Sequence, residues 1–345
     1  DPAKVKACRL LIRSTSKTLS LENITLSLAQ PYGAAANAAL MKLPYLDSYG
    51  QVMNLDWPGK LHSEQELKAR HTLEQKHISI DRGPAAFNLY GGWSDGPRLK
   101  ATGFFRTENV DGKWWMVDPT GKLFFSNGAN TIGFGQSTPT AHREALFEVL
   151  PDVDDKGRAH FMEANLRRAF GSDWQQPAGD RLHKRLRTWG INTLGAWSDA
   201  ELSNDQKTPY TAILHFGGKW SPLGEGRSDP FANGFNERLR DGLAKVIQPD
   251  DPWCVGVFID NEISWNHPFV RTAFTKPKLP ARLACITSLQ EKYSTIARLN
   301  KAWGTDFASW DRVEQLPDKG KSNALDRDIL ALRGMIARHL SLIHI

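Results

Sequence analysis

Near the start of the chain, apolar and polar residues alternate with the two-residue period of β-strands. The apolar positions of this stretch, residues 7–28, are Cys8, Leu10, Ile12, Leu19, Leu21, Ile24, Leu26 and Leu28. Because successive side chains of a strand point to opposite faces of a sheet, this spacing predicts strands with one buried face. We interpret residues 1–45 as the remnant of a β-sandwich whose other strands are not in this chain.

Residues 46–100 have the pattern of a linker segment. Residues 62–77 are polar and rich in helix-forming residue types, which predicts a surface helix. Residues 81–100 are rich in glycine and proline, which predicts a long loop. We therefore expect this segment to join the sandwich remnant to a second domain.

A β-hairpin is predicted after this linker. Residues 105–110 and 113–118 flank Asp111-Gly112, which is a signature of two-residue hairpin turns. The sequence Asp118-Pro-Thr-Gly121 is typical of a type I turn, and residues 123–127 continue as an apolar strand.

Strand and helix patterns alternate through the second domain, residues 101–345. Four strands are predicted, near residues 123–130, 190–197, 210–216 and 253–261. Helical spacing is shown by Leu182, Leu186 and Trp189, by Phe235, Leu239, Leu243 and Val246, and by Leu283, Ile286, Leu289, Tyr293, Ile296 and Leu299. This alternation predicts an α/β domain with a parallel sheet.

Composition narrows the possible partners. The net charge of +6 is spread among interspersed acidic and basic residues, so we expect a solvated mixed surface and no nucleic-acid partner. The sequence has no apolar run of membrane-spanning length and no cysteine–histidine cluster at zinc spacing, so neither a membrane partner nor a metal or other cofactor is expected. The twelve tryptophans offer flat apolar faces that suit sugar rings. The oligomeric state is not determined by the sequence.

The sharpest chemical signal follows the last predicted strand, where Asp260-Asn261-Glu262 is followed by Trp265. Active sites of parallel barrels lie at the carboxyl ends of their strands. Glycoside cleavage needs a carboxylic acid there to protonate the leaving oxygen, and Glu262 supplies one beside the amide of Asn261. The same three polar residues are also suited to capping the following helix, and the tripeptide alone leaves both interpretations open.

Context favours the catalytic interpretation, because the sequence resembles the β-agarases of glycoside hydrolase family 50. The resemblance covers most of residues 45–330. It is carried by residues 49–60, 103–108, 111–119, 121–127, 190–197, 229–231 and 258–265, while residues 293–304 are similar to a helical insertion of family 42 β-galactosidases.

The resemblance implies a (β/α)8 TIM barrel, of which this chain holds about the first four strands, after a carbohydrate-binding-like module. It also implies a retaining two-carboxylate mechanism that cleaves the β-1,4 linkages of agarose. Glu262 matches the general acid/base and Asn261 the neighbour that positions the sugar 2-hydroxyl. The nucleophile is expected after the seventh strand, beyond residue 345, so this chain alone is expected to be inactive.

Four further residues are predicted to bind substrate, namely Asn130, Trp197, His215 and Trp265. Asn130 and His215 offer hydrogen bonds to hydroxyls, and the two tryptophans offer stacking faces, although a packing role is as well supported for each. Because agarose is too large to import intact, the parent protein is expected outside the cytoplasm, extracellular or periplasmic. The alternatives are a β-galactosidase-like hydrolase of the same barrel clan and a non-catalytic carbohydrate-binding fragment. Residues 341–345 break the preceding helical pattern, so the sequence leaves open whether they belong to the natural protein.

Overall fold

The computed structural model describes residues 42–80, 83–217, 223, 228–248, 250–262, 267–317 and 321–341. The predicted sandwich strands at residues 7–28 lie outside the described residues, as do Trp265 and residues 342–345.

Strands and helices alternate through most of the described chain. The strands are β1 (Arg106–Val110), β2 (Lys113–Val117), β3 (Leu123–Phe124), β4 (Gly128–Ala129), β5 (Thr138–Pro139), β6 (Arg158–Ala159), β7 (Thr193–Leu194), β8 (Tyr210–Leu214) and β9 (Cys254–Ile259). The helices are α1 (Glu64–Ile80), α2 (Phe161–Phe170), α3 (Gln175–Thr188), α4 (Ala200–Asn204), α5 (Phe235–Val246), α6 (His267–Phe274), α7 (Pro280–Tyr293), α8 (Ile296–Trp303) and α9 (Asn323–Ser341). Short 3₁₀ turns lie at Glu144–Leu146 and Trp310–Arg312.

The predicted hairpin is confirmed. β1 and β2 pair antiparallel around Asp111 and Gly112, whose φ angles of 51° and 80° are both positive, as a type I′ turn requires. The turn after β2 is closed by the amide of Gly121, which donates to the carbonyl of Asp118 at 3.0 Å. The predicted strand over residues 123–130 divides into two. β3 joins the hairpin in a three-stranded antiparallel sheet, and β4 begins a separate parallel sheet.

That parallel sheet positions the candidate site residues that the structure describes. Its four strands lie in the order β4-β7-β8-β9, the same order as in the chain. Helices cover one face, where Leu194 and Tyr210 pack with Leu186 of α3 and Leu202 of α4, and Leu214 packs against α5. The opposite face carries Ile213 and its cross-strand partner Phe258, whose side chain is 57% exposed.

The buried side-chain amide of Asn192 helps to join β4 to β7, two strands that share only two paired positions. The side chain of Asn192 donates to the carbonyls of Gly91 and Phe125, each at 3.0 Å. Its oxygen accepts from the amide of Asn127 at 2.8 Å and from the hydroxyl of Thr193 at 3.1 Å. All four hydrogen-bonding positions of this amide are therefore used, and they tie the loop after α1 and the β3–β4 connection to the start of β7.

Helices α6 to α9 pack around a second core, centred on the fully buried Trp303. The long predicted stripe from Leu283 to Leu299 is not one helix. It breaks at Ser294, where φ is +62°, and Leu283 is exposed. Thr295 then caps α8 by accepting a hydrogen bond from the amide of Arg298. Helical spacing continues across this break by coincidence, so periodicity alone does not reveal it.

A buried carboxylate organises this helical core. Asp328 on α9 is 2% exposed and accepts from the indole N–H of Trp303 at 2.8 Å and from the hydroxyl of Tyr293 at 2.6 Å. Lys292 contacts its other oxygen. Burial and the hydrogen bond to Asp328 raise the pKa of Tyr293 to about 12, so this phenol stays a neutral donor. Asp328 thereby links α7, α8 and α9 through one side chain.

Replacing Asp328 with alanine is expected to lower the free energy of unfolding by about 3 kcal/mol, because the buried indole of Trp303 and the half-buried hydroxyl of Tyr293 lose their acceptor. Chemical denaturation followed by tryptophan fluorescence measures this change. Leu330→Ala on the same helix is the control, because Leu330 is exposed and its truncation should change stability by less than about 0.5 kcal/mol. Equal losses in the two variants would contradict the role of Asp328.

Candidate active site

The candidate residues lie where the parallel strands end, along what we call the carboxyl edge of the sheet. Asn130 follows β4, Trp197 lies three residues after β7, His215 follows β8, and Asn261 and Glu262 lie just after β9. All five side chains are exposed to solvent. Because parallel strands point their carboxyl ends to the same side, the structure brings these polar and aromatic groups to one edge of the sheet.

The loops after β4 and β7 are bonded to each other. The amide of Thr131 donates to the carbonyl of Ala196 at 2.8 Å. The side-chain oxygen of Asn130 lies so close to Gly195 that a Cβ added there would stand 2.1 Å from it. Because Gly195 has no side chain, it leaves the space that the side chain of Asn130 occupies just after β7.

Asp199, which lies two residues after Trp197, adds further hydrogen bonds between the loop after β7 and the loop after β4. Its carboxylate accepts from the amide of Phe134 at 2.7 Å, and its own amide donates to the carbonyl of Ile132 at 2.8 Å. Ser198 accepts from the amide of Ile132 and donates to the carbonyl of Gly195. These bonds fix the loop that carries Trp197 relative to the loop that follows Asn130.

Trp197 and His215 line one cavity of about 580 Å³ between the loop after β7, strand β8 and the end of α5. The Trp197 side chain is 50% exposed, so a flat apolar face is open to solvent. A stacking face and an imidazole in one cavity are a combination that can bind a sugar ring, whose C–H groups are apolar and whose hydroxyls need hydrogen-bond partners.

The ends of β8 and β9 are held together by Asp260. Its amide donates to the carbonyl of Leu214 at 2.8 Å. Its Oδ1 accepts from the amides of Phe216 and Gly217 at 2.7 and 3.0 Å. The first residue after β9 therefore fixes the loop after β8, which contains His215.

Left-handed backbone conformations are concentrated along the carboxyl edge. The φ angles are +59° at Thr131, +60° at Trp197, +57° at Asp260 and +53° at Glu262. Such conformations are unfavourable for residues other than glycine and, to a lesser degree, Asn and Asp, and they gather at functional sites. They turn the chain away from each strand direction as it leaves the sheet.

Sequence reasoning named the exposed groups of this edge and Asp260, but it missed Asp199 and the contacts that Asp260 makes with the loop after β8. Asp199 lies in the loop beyond Trp197, whereas Asp260 directly follows β9, which is a usable signal. Their partners lie about 65 and 44 residues away, however, and no local pattern indicates them.

Three further features of the described residues concern metal ligands, a buried tyrosine and helix length. Among the described residues, no group of three or more His, Cys, Asp or Glu side chains is arranged to hold a metal ion. At the amino end of the sheet, Tyr210 donates to Asp251 at 2.8 Å, and burial together with this bond raises the pKa of Tyr210 well above its usual range. No helix in the part of the chain that the structure describes has the length and apolar character needed to cross a membrane.

Comparisons with known proteins agree with this geometry. No family model matches the chain. The chain is 33% identical over 329 residues to β-agarase B of Vibrio sp. (strain JT0107), a match that covers 78% of the chain and 34% of that protein. It is 27% identical over 356 residues to β-agarase A of the same strain, covering 84% of the chain and 35% of that protein. The chain thus spans about a third of the length of these curated relatives.

Solved structures give the same result at the level of the fold. The agarase AgWH50C matches with a TM-score of 0.76 and 26% identity, covering 87% of this chain and 51% of that one. PfGH50B matches with a TM-score of 0.77 and 28% identity, again covering 87% and 51%. An exo-β-agarase matches with a TM-score of 0.73 and 27% identity, covering 87% and 52%. The chain therefore has the α/β fold of these enzymes over most of its length.

Gly195→Ala is expected to lower the free energy of unfolding by about 1–3 kcal/mol, because the added methyl group meets Asn130 and the carbonyl of Ala129. Gly256→Ala in β9 is the matched control, since a Cβ there meets nothing within 4 Å and should leave stability unchanged or raise it by up to about 1 kcal/mol. Urea denaturation of both variants gives the comparison. A Gly195 variant as stable as the Gly256 variant would show that the β4–β7 contact is not tightly packed.

Proposed function

The chain belongs to glycoside hydrolase family 50, the family of the β-agarases, and on this premise we propose that it carries the acid/base part of an agarose-cleaving active site. The observation that carries the proposal is the placement of Asp260-Asn261-Glu262 directly after β9, with both Asn261 and Glu262 exposed at the carboxyl edge. The family's acid/base glutamate follows an asparagine at the end of the fourth barrel strand, and the fourth strand of this parallel sheet is β9.

The proposal makes β4, β7, β8 and β9 the first four strands of a (β/α)8 barrel. Two observations support it. The strands follow one another in chain order with helices on one face, which is the winding of such a barrel. The other face leaves Phe258 largely uncovered, as expected if the strands that complete the barrel belong to sequence outside this chain.

The proposed chemistry is a retaining double displacement. A second carboxylate, from a strand outside this chain, attacks the anomeric carbon while the glycosidic C–O bond breaks and Glu262 gives its proton to the leaving oxygen. The Glu262 carboxylate then takes a proton from the water that releases the sugar from its covalent ester. The two carboxyl groups must stand about 5–5.5 Å apart for this outcome.

The remaining groups of the carboxyl edge are assigned to substrate binding. Asn261 positions the sugar 2-hydroxyl, Trp197 stacks on a ring, and Asn130 and His215 bind hydroxyl groups. Trp265 is assigned a second stacking role on the strength of the sequence alone. The proposed substrate is agarose at its β-1,4 linkages, and the proposed place of action is outside the cytoplasm or in the periplasm, where the polymer is accessible.

Glu262→Ala in the full-length protein is expected to slow agarose hydrolysis by about 10²–10⁴-fold, because the leaving oxygen is no longer protonated. Added azide should trap any sugar–enzyme ester that still forms as a glycosyl azide, since this small nucleophile needs no general base for the second step. Glu201→Ala is the control, because Glu201 is an exposed carboxylate on α4 that takes no part in the proposed chemistry. Wild-type turnover in the Glu262 variant would rule out the acid/base role.

Chromatography of the products tests the substrate. Full-length protein incubated with agarose should release neoagaro-oligosaccharides and should leave lactose and nitrophenyl galactosides largely intact. Release of galactose from lactose without products from agarose would instead favour a β-galactosidase-like enzyme. Binding to agarose with no product from any of these substrates would favour a carbohydrate-binding protein without catalysis.

A further inference from the structure

We propose that Asp260 is a positioning residue that holds the loop containing His215 and the turn containing Glu262 as one unit. The proposal rests on the proposed function, since it assumes that Glu262 and His215 act on a sugar substrate. It assigns to Asp260 no contact with the substrate. Asp260 acts through the two neighbours whose backbone it fixes.

The contacts of Asp260 enclose His215 from both sides. Leu214, just before the histidine, accepts from the Asp260 amide at 2.8 Å. Phe216 and Gly217, just after it, donate their amides to Oδ1 at 2.7 and 3.0 Å. Both N–H groups converge on one carboxylate oxygen, so a single side chain fixes two consecutive backbone amides. The imidazole is thus carried on a loop whose two ends are both tied to the end of β9.

The backbone of Asp260 sets the direction of the residues that follow. The ladder between β8 and β9 is regular up to the pair Leu214 and Ile259. At Asp260 the φ angle changes to +57°, which ends the strand and turns the chain, so that Asn261 and Glu262 emerge exposed at the carboxyl edge. Aspartate and asparagine tolerate this conformation better than other residues that carry a side chain.

These two functions of Asp260 can be separated by substitution. Asparagine tolerates the left-handed backbone and keeps an acceptor oxygen in the same place. Glycine tolerates the left-handed backbone even better but removes the acceptor. A comparison of Asp260→Asn with Asp260→Gly therefore isolates the hydrogen bonds to Phe216 and Gly217 from the conformation of residue 260 itself.

The test uses full-length protein with measurable activity on agarose. Asp260→Gly is expected to lower kcat/KM by about 10–100-fold, because misplacement of a catalytic site by about 1 Å can have an effect of this size. Asp260→Asn is expected to keep kcat/KM within about 5-fold of the wild type, since its amide oxygen still accepts both N–H groups. Thermal melting of both variants shows that the assay temperature lies below their unfolding transitions.

A double-mutant cycle with His215→Ala distinguishes positioning from a general loss of stability. If Asp260 acts through the His215 loop, adding His215→Ala to Asp260→Gly should cost much less than His215→Ala costs in the wild type. Fully additive losses, or wild-type activity of Asp260→Gly, would overturn the proposal. If Asp260→Gly does not fold, Asp260→Ser takes its place in the cycle, because the shorter serine hydroxyl cannot span to both amides.

Glu262→Ala, measured in the same assay, separates this inference from the proposed function. An inactive Glu262 variant beside a fully active Asp260→Gly variant leaves the function standing and refutes the positioning role. An active Glu262 variant refutes the acid/base assignment, and with it the premise on which the positioning role depends.

Discussion

The arrangement of the site depends on one buried amide, that of Asn192. Strands β4 and β7 pair over only two positions, which is too short a ladder to fix their relation alone. The Asn192 side chain adds four hydrogen bonds, among them one to Asn127, 65 residues away in sequence. Because each donor and acceptor of the amide is used, no isosteric residue can replace it without leaving a buried group unpaired. This join holds β4 and β7 side by side at the start of β7, so the loops that follow the two strands leave the sheet next to each other.

Order at the carboxyl edge comes from side chains that bond to neighbouring loops more than from strand pairing. Asp199 joins the loops after β4 and β7, and Asp260 joins the ends of β8 and β9. The exposed groups, such as Trp197 and Glu262, stand next to these joins in left-handed backbone conformations. Left-handed conformations of non-glycine residues persist only where neighbouring contacts stabilise them. The hydrogen bonds of Asp199 and Asp260 are therefore part of what keeps this backbone in place.

Patterns that depend on neighbours in sequence were predicted well. The Asp111-Gly112 turn, the core stripe of α5 and the strands β8 and β9 all follow from local composition and spacing. Features set by distant partners were not predicted. The division of residues 123–130 between two sheets depends on which strands they meet, and the break at Ser294 interrupts a stripe without changing its period. At the site, the exposed residues could be named from the sequence, but the contacts that hold them join segments about 44 and 65 residues apart.

The helical core around Trp303 differs from the sheet in how its contacts are distributed along the chain. Helices α6 to α9 are all drawn from residues 267–341, although α6 and α9, which contact each other, stand at the two ends of this stretch. The strands of the sheet come from residues 128–259, and Ser126 contacts Thr193 across 67 residues. Because loop-closure entropy rises only slowly with loop length, this difference favours neither core strongly. Its consequence is that each core draws on its own stretch of chain, so the helical core has the make-up of a separate cooperative unit that can open locally while the sheet stays paired.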